Sequence, residues 1–586
     1  MSATHPAEAL RVIHRTCPLC EATCGLTLTL AGDRVTRVEG DPDDVFSRGY
    51  LCPKGAALGA LHHDPDRLRR PRIRTGAQWR EVDWPEAFAA VDKGLGAILA
   101  RGDRDAIGIY AGNPTVHSLS ALLYGPAAMR AAGTRNVYSA STVDQMPRHV
   151  ASGLLYGDPD LIPVPDLDRA ELLLILGANP VVSNGSLATA PDWPGRLRAL
   201  RARGGRLIVI DPRHTETAAL ADEHHAIRPG ADALVLLAMA HTLLTTGRAR
   251  LGRLAPHITG LDRLPEAIAP FTPEAIAQKC GIAPQDIRRL AQTIADTPRA
   301  AVYGRIGTQA ARFGTLAAWA VDLLCLLTAH LDEPGGAVFP TALHDRPGQG
   351  RGRGFRTGRH HSRVHAYPEV RGELPAITLA DEIETPGPGQ IRALITVAGN
   401  PVLSVPGAHR LDRALAGLEF MVSVDPYQNE TTRHAHVILP PPSPLARAHY
   451  DLAFYRLAIR QIARYTPPSL PAEGPDEAEI LARLALTLAG QPGGDPRWID
   501  AGITHHILAT AAATPGSPIH GRDITELLPH LQGRDGPERA LDALIRTGPR
   551  GDGFGARPDG WTLSRLASHP HGVDFGPHAP RLPQAL

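Results

Sequence analysis

The sequence lacks an imbalance of charge, long apolar runs and an abundance of aromatic residues. Its 586 residues carry 61 basic and 60 acidic side chains, a net charge of +1, and only 5% are aromatic. Binding to nucleic acid is usually visible as a basic excess, so this balance argues against nucleic acid as a partner. No run approaches the roughly 18 consecutive apolar residues of a membrane-spanning helix. With 43% hydrophobic residues, the chain is long enough for several packed domains.

Cysteine and lysine are both scarce. Six cysteines are too few for a disulfide framework in a chain of this length. Lysine occurs only at Lys54, Lys93 and Lys279, and arginine supplies the other 58 basic residues, a bias typical of a GC-rich genome. The first 16 residues contain neither the apolar core of a secretory signal nor a twin arginine. We therefore expect a cytoplasmic protein whose thiols stay reduced and free to bind metal.

Four of the six cysteines crowd into the first 52 positions with the spacing C-x2-C-x3-C-x27-C, namely Cys17, Cys20, Cys24 and Cys52. Three closely spaced thiols and one remote thiol favour a cubane 4Fe-4S cluster, whose irons are held by thiolates. A zinc site, which usually pairs two tight C-x2-C knuckles, and unligated thiols are the alternatives. Two alternating segments around Gly32 and Asp33 predict a hairpin that returns Cys52 to the other three.

One of the three lysines lies beside the predicted cluster. Cys52 is followed by Pro53, Lys54 and Gly55, so the ammonium of Lys54 is only two residues from a ligand. A cation there would raise the potential of the cluster and form a polar link to whatever lies beyond it. A solvent-facing side chain without such a role is the alternative.

A pair of motifs occurs twice, in the same order. The segment LLILGANPVVS at 173–183 resembles LITVAGNPVLS at 394–404, and LIVIDPRHTET at 207–217 resembles FMVSVDPYQNET at 420–431. In each copy an apolar strand ends in Asn-Pro and a later strand ends in Asp-Pro. Open α/β sheets bind ligands at the carboxyl ends of their strands, so two copies indicate two related nucleotide-like ligands.

The alternation of strand and helix predicts an α/β fold. We expect a small N-terminal β-rich iron–sulfur domain at 1–65, followed by two pseudo-repeated α/β domains with mostly parallel sheets. These two halves interleave within a core at 66–470, with their Asn-Pro and Asp-Pro modules at 172–217 and 393–432. Residues 471–586 are expected to form a helical and Gly/Pro-rich C-terminal region.

The cysteine spacing followed by Cys-Pro-Lys-Gly resembles the iron–sulfur domain of the molybdopterin oxidoreductases, the DMSO reductase superfamily that includes formate dehydrogenases and nitrate reductases. The resemblance implies one molybdenum or tungsten held between two pterin guanine dinucleotides, with Lys54 between cluster and pterin. It implies contacts to one dinucleotide from Asn179, Asp211, Arg213, Thr215, Gly230 and Asp232, with Asp232 capping a helix. Contacts to the other are implied for Asn400, Asp425 and Thr431. Gly304, after a short strand, is a further predicted pterin contact.

The resemblance also implies a protein ligand to the metal, on a loop about 120 residues after the cluster. The corresponding stretch, which begins at Asn136, contains no cysteine. Ser139 is the first candidate, and Tyr138, Ser141 and Asp144 lie within a register slip. An oxygen donor is harder than a thiolate and favours oxygen-atom transfer, so formate does not follow as the substrate. His149, with Arg148 and Gln145, is expected either to bind an anion or move protons, or to be part of an ordinary polar helix face.

The resemblance implies an enzyme that exchanges electrons between a small-molecule substrate and an electron-transfer partner protein or domain. It weakens after about residue 470, where the barrel-like dinucleotide-binding domain of full-length relatives is not visible in the sequence. One alternative is therefore a non-catalytic or truncated, cofactor-poor electron-transfer subunit. A second is a non-redox hydratase or hydroxyl transferase of the same family.

Overall fold

The structure is a computed structural model that describes residues 9–346, 354–534 and 536–585. Its N-terminal part is a three-stranded antiparallel sheet of Leu10–Thr16, Gly25–Ala31 and Arg34–Gly40. The second and third strands form the predicted hairpin, and Gly32 takes the left-handed conformation (φ +56°) that its turn requires. Alternate leucines of the middle strand, Leu26, Leu28 and Leu30, are fully buried, so one face of the sheet packs inward.

A four-stranded parallel sheet carries the first Asn-Pro/Asp-Pro module. Its spatial order is Glu223–His225, Arg206–Ile210, Leu172–Leu176 and Ala300–Gly304. The three long strands are almost continuous runs of buried apolar residues. Such runs are typical of parallel strands that are covered by helices on both faces.

A seven-stranded sheet carries the second module. Its order is Gln78–Glu81, Arg72–Thr75, Val437–Leu439, Phe420–Val424, Ala393–Val397, Ile107–Ala111 and Val137–Ser139. The last five strands are mutually parallel, and the first two add an antiparallel edge. Strands from before and after the first sheet therefore lie side by side in the second, and the mostly parallel sheets confirm the predicted α/β fold.

Two short antiparallel pairs complete the strands: Val164–Pro165 with Ala337–Val338, and Arg460–Ala463 with Val573–Pro577. The α-helices of five or more residues in the described chain up to residue 330 are Leu58–His63, Trp84–Leu99, Leu119–Ala132, Met146–Tyr156, Trp193–Ala202, Asp232–Thr245, Leu264–Ile268, Pro273–Cys280, Pro284–Asp296 and Gly314–Leu327. Those that follow are Leu379–Glu384, Ala408–Ala416, Glu477–Leu488, Arg497–Ala513, Pro537–Thr547 and Leu563–Ala567. None of these described helices is both long and apolar enough to cross a membrane.

The two modules begin with the same local structure. Each Asn-Pro begins a one-turn helix, Pro180–Ser183 in the first copy and Pro401–Ser404 in the second. The residue two positions before each asparagine has a positive φ, +55° at Gly177 and +49° at Ala398. The repeat in sequence is thus a repeat in backbone conformation at the carboxyl ends of the strands.

The region after residue 470 is mainly helical. The helix Glu477–Leu488 follows Asp476, whose carboxylate accepts the amide of Ala478 at 2.8 Å. Within the described residues after 470, Val573–Pro577 is the one strand, and it pairs with Arg460–Ala463 rather than with a barrel. The C-terminal segment thereby lies against the strand that immediately follows the second module.

Candidate functional site

The four clustered cysteines are brought together by the N-terminal sheet. Cys17 follows the first strand and Cys24 precedes the second, and the amide of Cys17 donates to the carbonyl of Cys24 at 2.8 Å. Cys52 immediately precedes the one-turn helix Pro53–Ala56. Cys17, Cys24 and Cys52 are buried, and Cys20 is partly exposed towards a cleft. All four are free thiols.

The electrostatics of these thiols fit a bound cationic cluster. Burial, with a smaller contribution from the neighbouring thiolates, raises the pKa of Cys17 to about 12 and the pKa of Cys24 well above its usual value. Four mutually repelling thiolates in a buried loop need positive charge among them to ionise together.

The distances between the sulfur atoms favour a 4Fe-4S cluster over a zinc ion at this site. Tetrahedral zinc, with Zn–S bonds of about 2.3 Å, would hold its sulfurs about 3.8 Å apart. Among the described residues, no three of these sulfurs lie within 4.8 Å of one another. The wider set suits a cubane, whose thiolates sit on separate irons.

A cleft of about 870 Å³ lies against this cluster loop. Its lining includes Cys20 and Lys54, together with Ala111 and Val397 at the carboxyl ends of two strands of the larger sheet. The same cleft is lined by the loop that carries the predicted metal ligands and by the helix that carries His149, through Ser139, Ser141, Asp144 and His149. The structure thus joins the cluster loop and the candidate ligand loop in one cavity.

Ser139 ends the strand Val137–Ser139 and faces a buried carboxylate. Its hydroxyl donates to Glu373, and its Oγ also accepts the amide of Ser141 at 3.1 Å. Burial raises the pKa of Glu373, an effect that the hydrogen bond from Ser139 opposes. Glu373 lines the cleft and is a functional candidate that the sequence did not indicate.

Two of the neighbouring candidates do not face the cleft. The hydroxyl of the fully buried Tyr138 donates to the side chain of Asn136 at 3.2 Å. The guanidinium of Arg148 is buried in an ion pair with Asp322, which also accepts the hydroxyl of Tyr156 at 2.9 Å. Tyr138 and Arg148 therefore hold the fold around the loop, and neither is presented to a ligand in the cleft.

Asp144, which lines the cleft, belongs to a group of charged side chains. Burial raises its pKa, while its hydrogen bond from Gln145 and the charges of Arg305 and His149 oppose the rise. Arg305 donates to Ser186 at 2.7 Å and to Gln309 at 3.1 Å, and its Nε has no hydrogen-bond partner among the described residues. A buried guanidinium with an unused donor is suited to an anionic ligand.

Glu21, next to the cluster cysteine Cys20, completes this charged group. Its carboxylate accepts the amide of Leu187 at 2.8 Å, and burial raises its pKa to about 7 although Arg305 favours the ionised form. Glu21 is a second residue of the cleft that the sequence did not indicate. The only available signal was its position inside the cysteine motif.

His149 belongs to the helix Met146–Tyr156 and lines the cleft. Its Nδ1 lies 2.8 Å from the carbonyl of Pro159 and 3.4 Å from Asp160, while Arg371 reaches Asp160 at 2.7 Å. Burial opposes ionisation of Asp160, but the hydrogen bond to His149 and the charge of Arg371 hold its pKa below the usual range. An Nδ1–H that donates to Pro159 leaves Nε2 as the nitrogen available to a ligand.

The two predicted asparagines make matching hydrogen bonds. Asn179 donates to Glu216 at 2.7 Å and accepts the hydroxyl of Thr217 at 2.8 Å. Asn400 donates to Glu430 at 2.8 Å and accepts the hydroxyl of Thr431 at 2.7 Å. The threonine hydroxyl then accepts the amide two residues after the asparagine in both copies. The same network of side-chain hydrogen bonds therefore occurs in both modules.

This correspondence identifies Thr217, six residues after Asp211, as the counterpart of Thr431, six residues after Asp425. Thr215, for which the resemblance implies a contact to the first dinucleotide, has a different position in the module. It caps a short helix by accepting the amide of Ala218 at 3.0 Å. Aligning the two Asp-Pro pairs position by position would have found Thr217. The exposed Arg213 lies 3.4 Å from Glu216.

The aspartates of the modules also correspond. Asp211 accepts the amide of Arg213 at 2.9 Å, and Asp425 accepts that of Tyr427 at 2.9 Å. Burial raises the pKa of Asp425 to about 6. Each carboxylate is thus fixed by the turn after its strand, and Asp425 also accepts a hydrogen bond from the side chain of Asn429 at 3.4 Å.

Three further predicted contacts have different surroundings. Asp232 is the first residue of its helix and does not cap it, because Ala231 occupies the cap position. Burial and the charge of Asp211 raise the pKa of Asp232 to about 6. Gly230 is exposed, with φ +81° and open space around it. Gly304 packs tightly on the helix Gly314–Leu327, where a Cβ would approach Val321 to 2.7 Å.

Two family models match the chain. The model described as molybdopterin oxidoreductase matches residues 67–443, and the model described as molybdopterin oxidoreductase Fe4S4 domain matches residues 10–63. The second match contains all four clustered cysteines, and the first contains both modules and the candidate ligand loop.

Relatives of known name align over most of the chain. The F420-dependent formate dehydrogenase subunit alpha of Methanocaldococcus jannaschii is 24% identical over 451 residues, covering 73% of this chain and 64% of the relative. The assimilatory nitrate reductase of Haloferax mediterranei is 28% identical over 504 residues, covering 82% and 68%. The chain thus spans about two thirds of the length of these relatives. Acetylene hydratase from Pelobacter acetylenicus has a similar fold, with a TM-score of 0.67 and 17% identity over 83% of this chain and 71% of that one.

Proposed function

Because the chain belongs to the molybdopterin oxidoreductase family, with molybdopterin and a 4Fe-4S cluster as its cofactors, we propose the following function. It is an oxidoreductase that exchanges two electrons with a small-molecule substrate at a molybdenum or tungsten bis-pterin guanine dinucleotide. It passes them singly through the 4Fe-4S cluster to an external partner protein or domain.

The shared cleft is the observation that carries this proposal. Cys20 and Lys54, from the cluster loop, line it together with Ser139, Asp144 and His149. Electron transfer between a substrate site and a cluster requires the two to be near neighbours, and a common cavity of about 870 Å³ provides that proximity. Lys54 has a direct electrostatic effect here, because its charge opposes the rise that burial causes in the pKa of Cys20.

The residues available to hold the cofactors are of suitable chemistry. Cys17, Cys20, Cys24 and Cys52 would bind the cluster. The two modules would each hold one dinucleotide at a strand end, through Asn179, Asp211 and Thr217 in the first copy and Asn400, Asp425 and Thr431 in the second. Asp232 would join the first set, since it lies close enough to Asp211 for their charges to interact. Carboxylates and amides fixed at strand ends are well placed to accept hydrogen bonds from a base or a ribose.

Ser139 is the best-supported protein ligand to the metal. A serine ligates as the alkoxide, so a nearby base must take its proton, and Glu373 already accepts a hydrogen bond from that hydroxyl. Burial of Glu373 raises its pKa and favours its holding that proton. A molybdenum centre with an oxygen ligand supplies two-electron chemistry biased towards oxygen-atom transfer.

His149 and Arg371 give the cleft its affinity for substrate. Nε2 of His149 is free to hold or accept a proton, because the other ring nitrogen lies against Pro159 and Asp160. Arg371 is fixed by Asp160 at 2.7 Å and lines the same cleft. Together they favour a small, polar or anionic substrate.

Replacing Lys54 with alanine is expected to slow reduction of the cluster by substrate at least about tenfold, which corresponds to about 1.4 kcal/mol in the barrier. The loss follows because Lys54 lines the cleft that the ligand loop also lines and lies two residues from the cluster ligand Cys52. Stopped-flow absorbance of the cluster in a single turnover measures the rate, and metal analysis checks that both cofactors remain bound. Lys93→Ala, at an exposed helical lysine, is the matched control. Wild-type cluster reduction in Lys54→Ala would remove the proposed relay.

A further inference from the structure

Three potential metal ligands meet on the far side of the cluster-bearing sheet, outside the cleft. His14 lies in the strand Leu10–Thr16, and Asp41 follows the strand Arg34–Gly40. His571 comes from the C-terminal segment, just before Val573–Pro577. The amide of Val45 donates to the carbonyl of His571 at 3.2 Å, which fixes that segment against the N-terminal domain. The three residues are separated by up to 557 positions, so only the fold brings them together.

Both imidazoles present the same nitrogen to the same carboxylate oxygen. Nδ1 of His571 lies 2.8 Å from Oδ2 of Asp41, and Nδ1 of His14 lies 3.6 Å from it. All three ligand atoms are within 4.8 Å of one another, the only such group of histidine, cysteine and carboxylate side chains in the described chain. Zinc bound at about 2.0–2.1 Å would place such atoms about 3.3 Å apart, a value between the two observed distances.

The surroundings of Asp41 orient it for this role. Its side chain is 0% exposed, and its Oδ1 accepts the amide of Asp43 at 3.1 Å, which leaves Oδ2 facing the imidazoles. Among the described residues its ion-pair partners are these two histidines alone. A metal ion bound there would supply the positive charge that a buried carboxylate favours.

The histidines leave room for further ligands. Their side chains are 28% and 32% exposed, so a fourth coordination position would open to solvent. The hydroxyl of Thr27 lies 3.3 Å from Nδ1 of His14 and would have to turn aside on metal binding. Two imidazoles and one carboxylate are a donor set that suits zinc and similar divalent transition metals better than magnesium or calcium.

We propose that His14, Asp41 and His571 bind one divalent transition-metal ion of the zinc class, which clamps the C-terminal segment onto the iron–sulfur domain. The ion replaces the hydrogen bond between His571 and Asp41 by two coordinate bonds. It connects a segment near residue 571 to strands near residues 14 and 41, and so closes a very long loop of chain. Zinc is the probe of choice because it has no redox chemistry that would interfere with the cluster.

The test uses the cluster-loaded protein, freed of loosely bound metal by a chelator and then titrated with zinc chloride. We expect about one zinc per chain by calorimetry and by metal analysis after dialysis, with the iron content unchanged. His571→Ala is expected to weaken zinc binding at least about tenfold, since even partners in the outer shell of a metal site change affinity by about 10–100-fold. Zinc is also expected to slow proteolytic cleavage in the C-terminal segment of the wild type and not of this variant.

His569→Ala is the matched control, because His569 is an exposed histidine two residues away on the same loop and bonds to Arg565. His14→Ala, on the opposite side of the site, provides a second variant if His571→Ala fails to fold. Equal zinc affinity in wild type and both site variants would place the metal elsewhere and overturn the proposal. Absence of zinc from the wild type would leave a hydrogen-bonded His–Asp–His group only, which also overturns it.

Discussion

Replacing Cys24 with alanine is expected to abolish the 4Fe-4S cluster and, with it, transfer of electrons to an external acceptor. Cys24 is buried, and the amide of Cys17 bonds to its carbonyl, so no solvent ligand has easy access to the vacated position. We expect iron to fall from about four atoms per chain to less than one, and the broad visible absorbance of the cluster to disappear. Iron analysis together with the visible spectrum provides the measurement.

Cys325→Ala is the control for that experiment, since Cys325 is an equally buried thiol in the helix Gly314–Leu327, away from the cluster loop. It is expected to retain the wild-type iron content. If Cys24→Ala kept four irons and wild-type electron transfer, the assignment of the cluster to the Cys17–Cys52 set would be wrong.

Replacing Ser139 with alanine is expected to lower turnover at least about 100-fold while the cluster remains intact. Loss of a ligand should exceed the roughly 10–100-fold cost of losing a partner in the outer shell. Glu373 would lose the hydroxyl that it now binds, so its carboxyl group is also expected to lose a favourable contact. Steady-state turnover and the electron paramagnetic resonance signal of the metal give the two readouts.

Ser141→Ala is the matched control, because Ser141 lines the same cleft but its hydroxyl contacts only Gln145 among the described side chains, at 3.3 Å. We expect it to keep turnover within a few-fold of wild type. If Ser141→Ala lost turnover and Ser139→Ala retained it, the metal ligand would be Ser141, two positions further along the loop.

The sequence predicted the fold well because its signals are local. Apolar runs such as Leu172–Leu176, capping at Asp476 and the Gly32 turn each act within a few residues, and all are present in the structure. The repeated modules were visible for the same reason, since each is a strand followed by a turn.

The parts of the site that the sequence did not reveal are those built across the chain. Glu373 reaches Ser139 from 234 positions away, and nothing in its own neighbourhood indicates that contact. The predicted helix cap at Asp232 is wrong by one residue, since Ala231 occupies the cap position and helix boundaries shift easily by one position. The choice between Thr215 and Thr217 depended on which hydroxyl meets Asn179 in space.

The His14, Asp41 and His571 group shows the same limit more strongly. Its members come from two different ends of the chain, so no spacing of histidines along the sequence indicates the site. The local sequence around each residue is ordinary, and the geometry exists only once the C-terminal segment lies against the N-terminal sheet.

Metal and pterin analysis of the purified protein tests the central claim most directly. The proposed oxidoreductase predicts about four iron atoms per chain together with molybdenum or tungsten and an extractable pterin guanine dinucleotide. It also predicts turnover only when an electron acceptor or donor is supplied. Iron without molybdenum, tungsten or pterin would contradict the account and indicate a cofactor-poor electron-transfer subunit, and turnover without any electron acceptor or donor would indicate a non-redox hydratase or hydroxyl transferase.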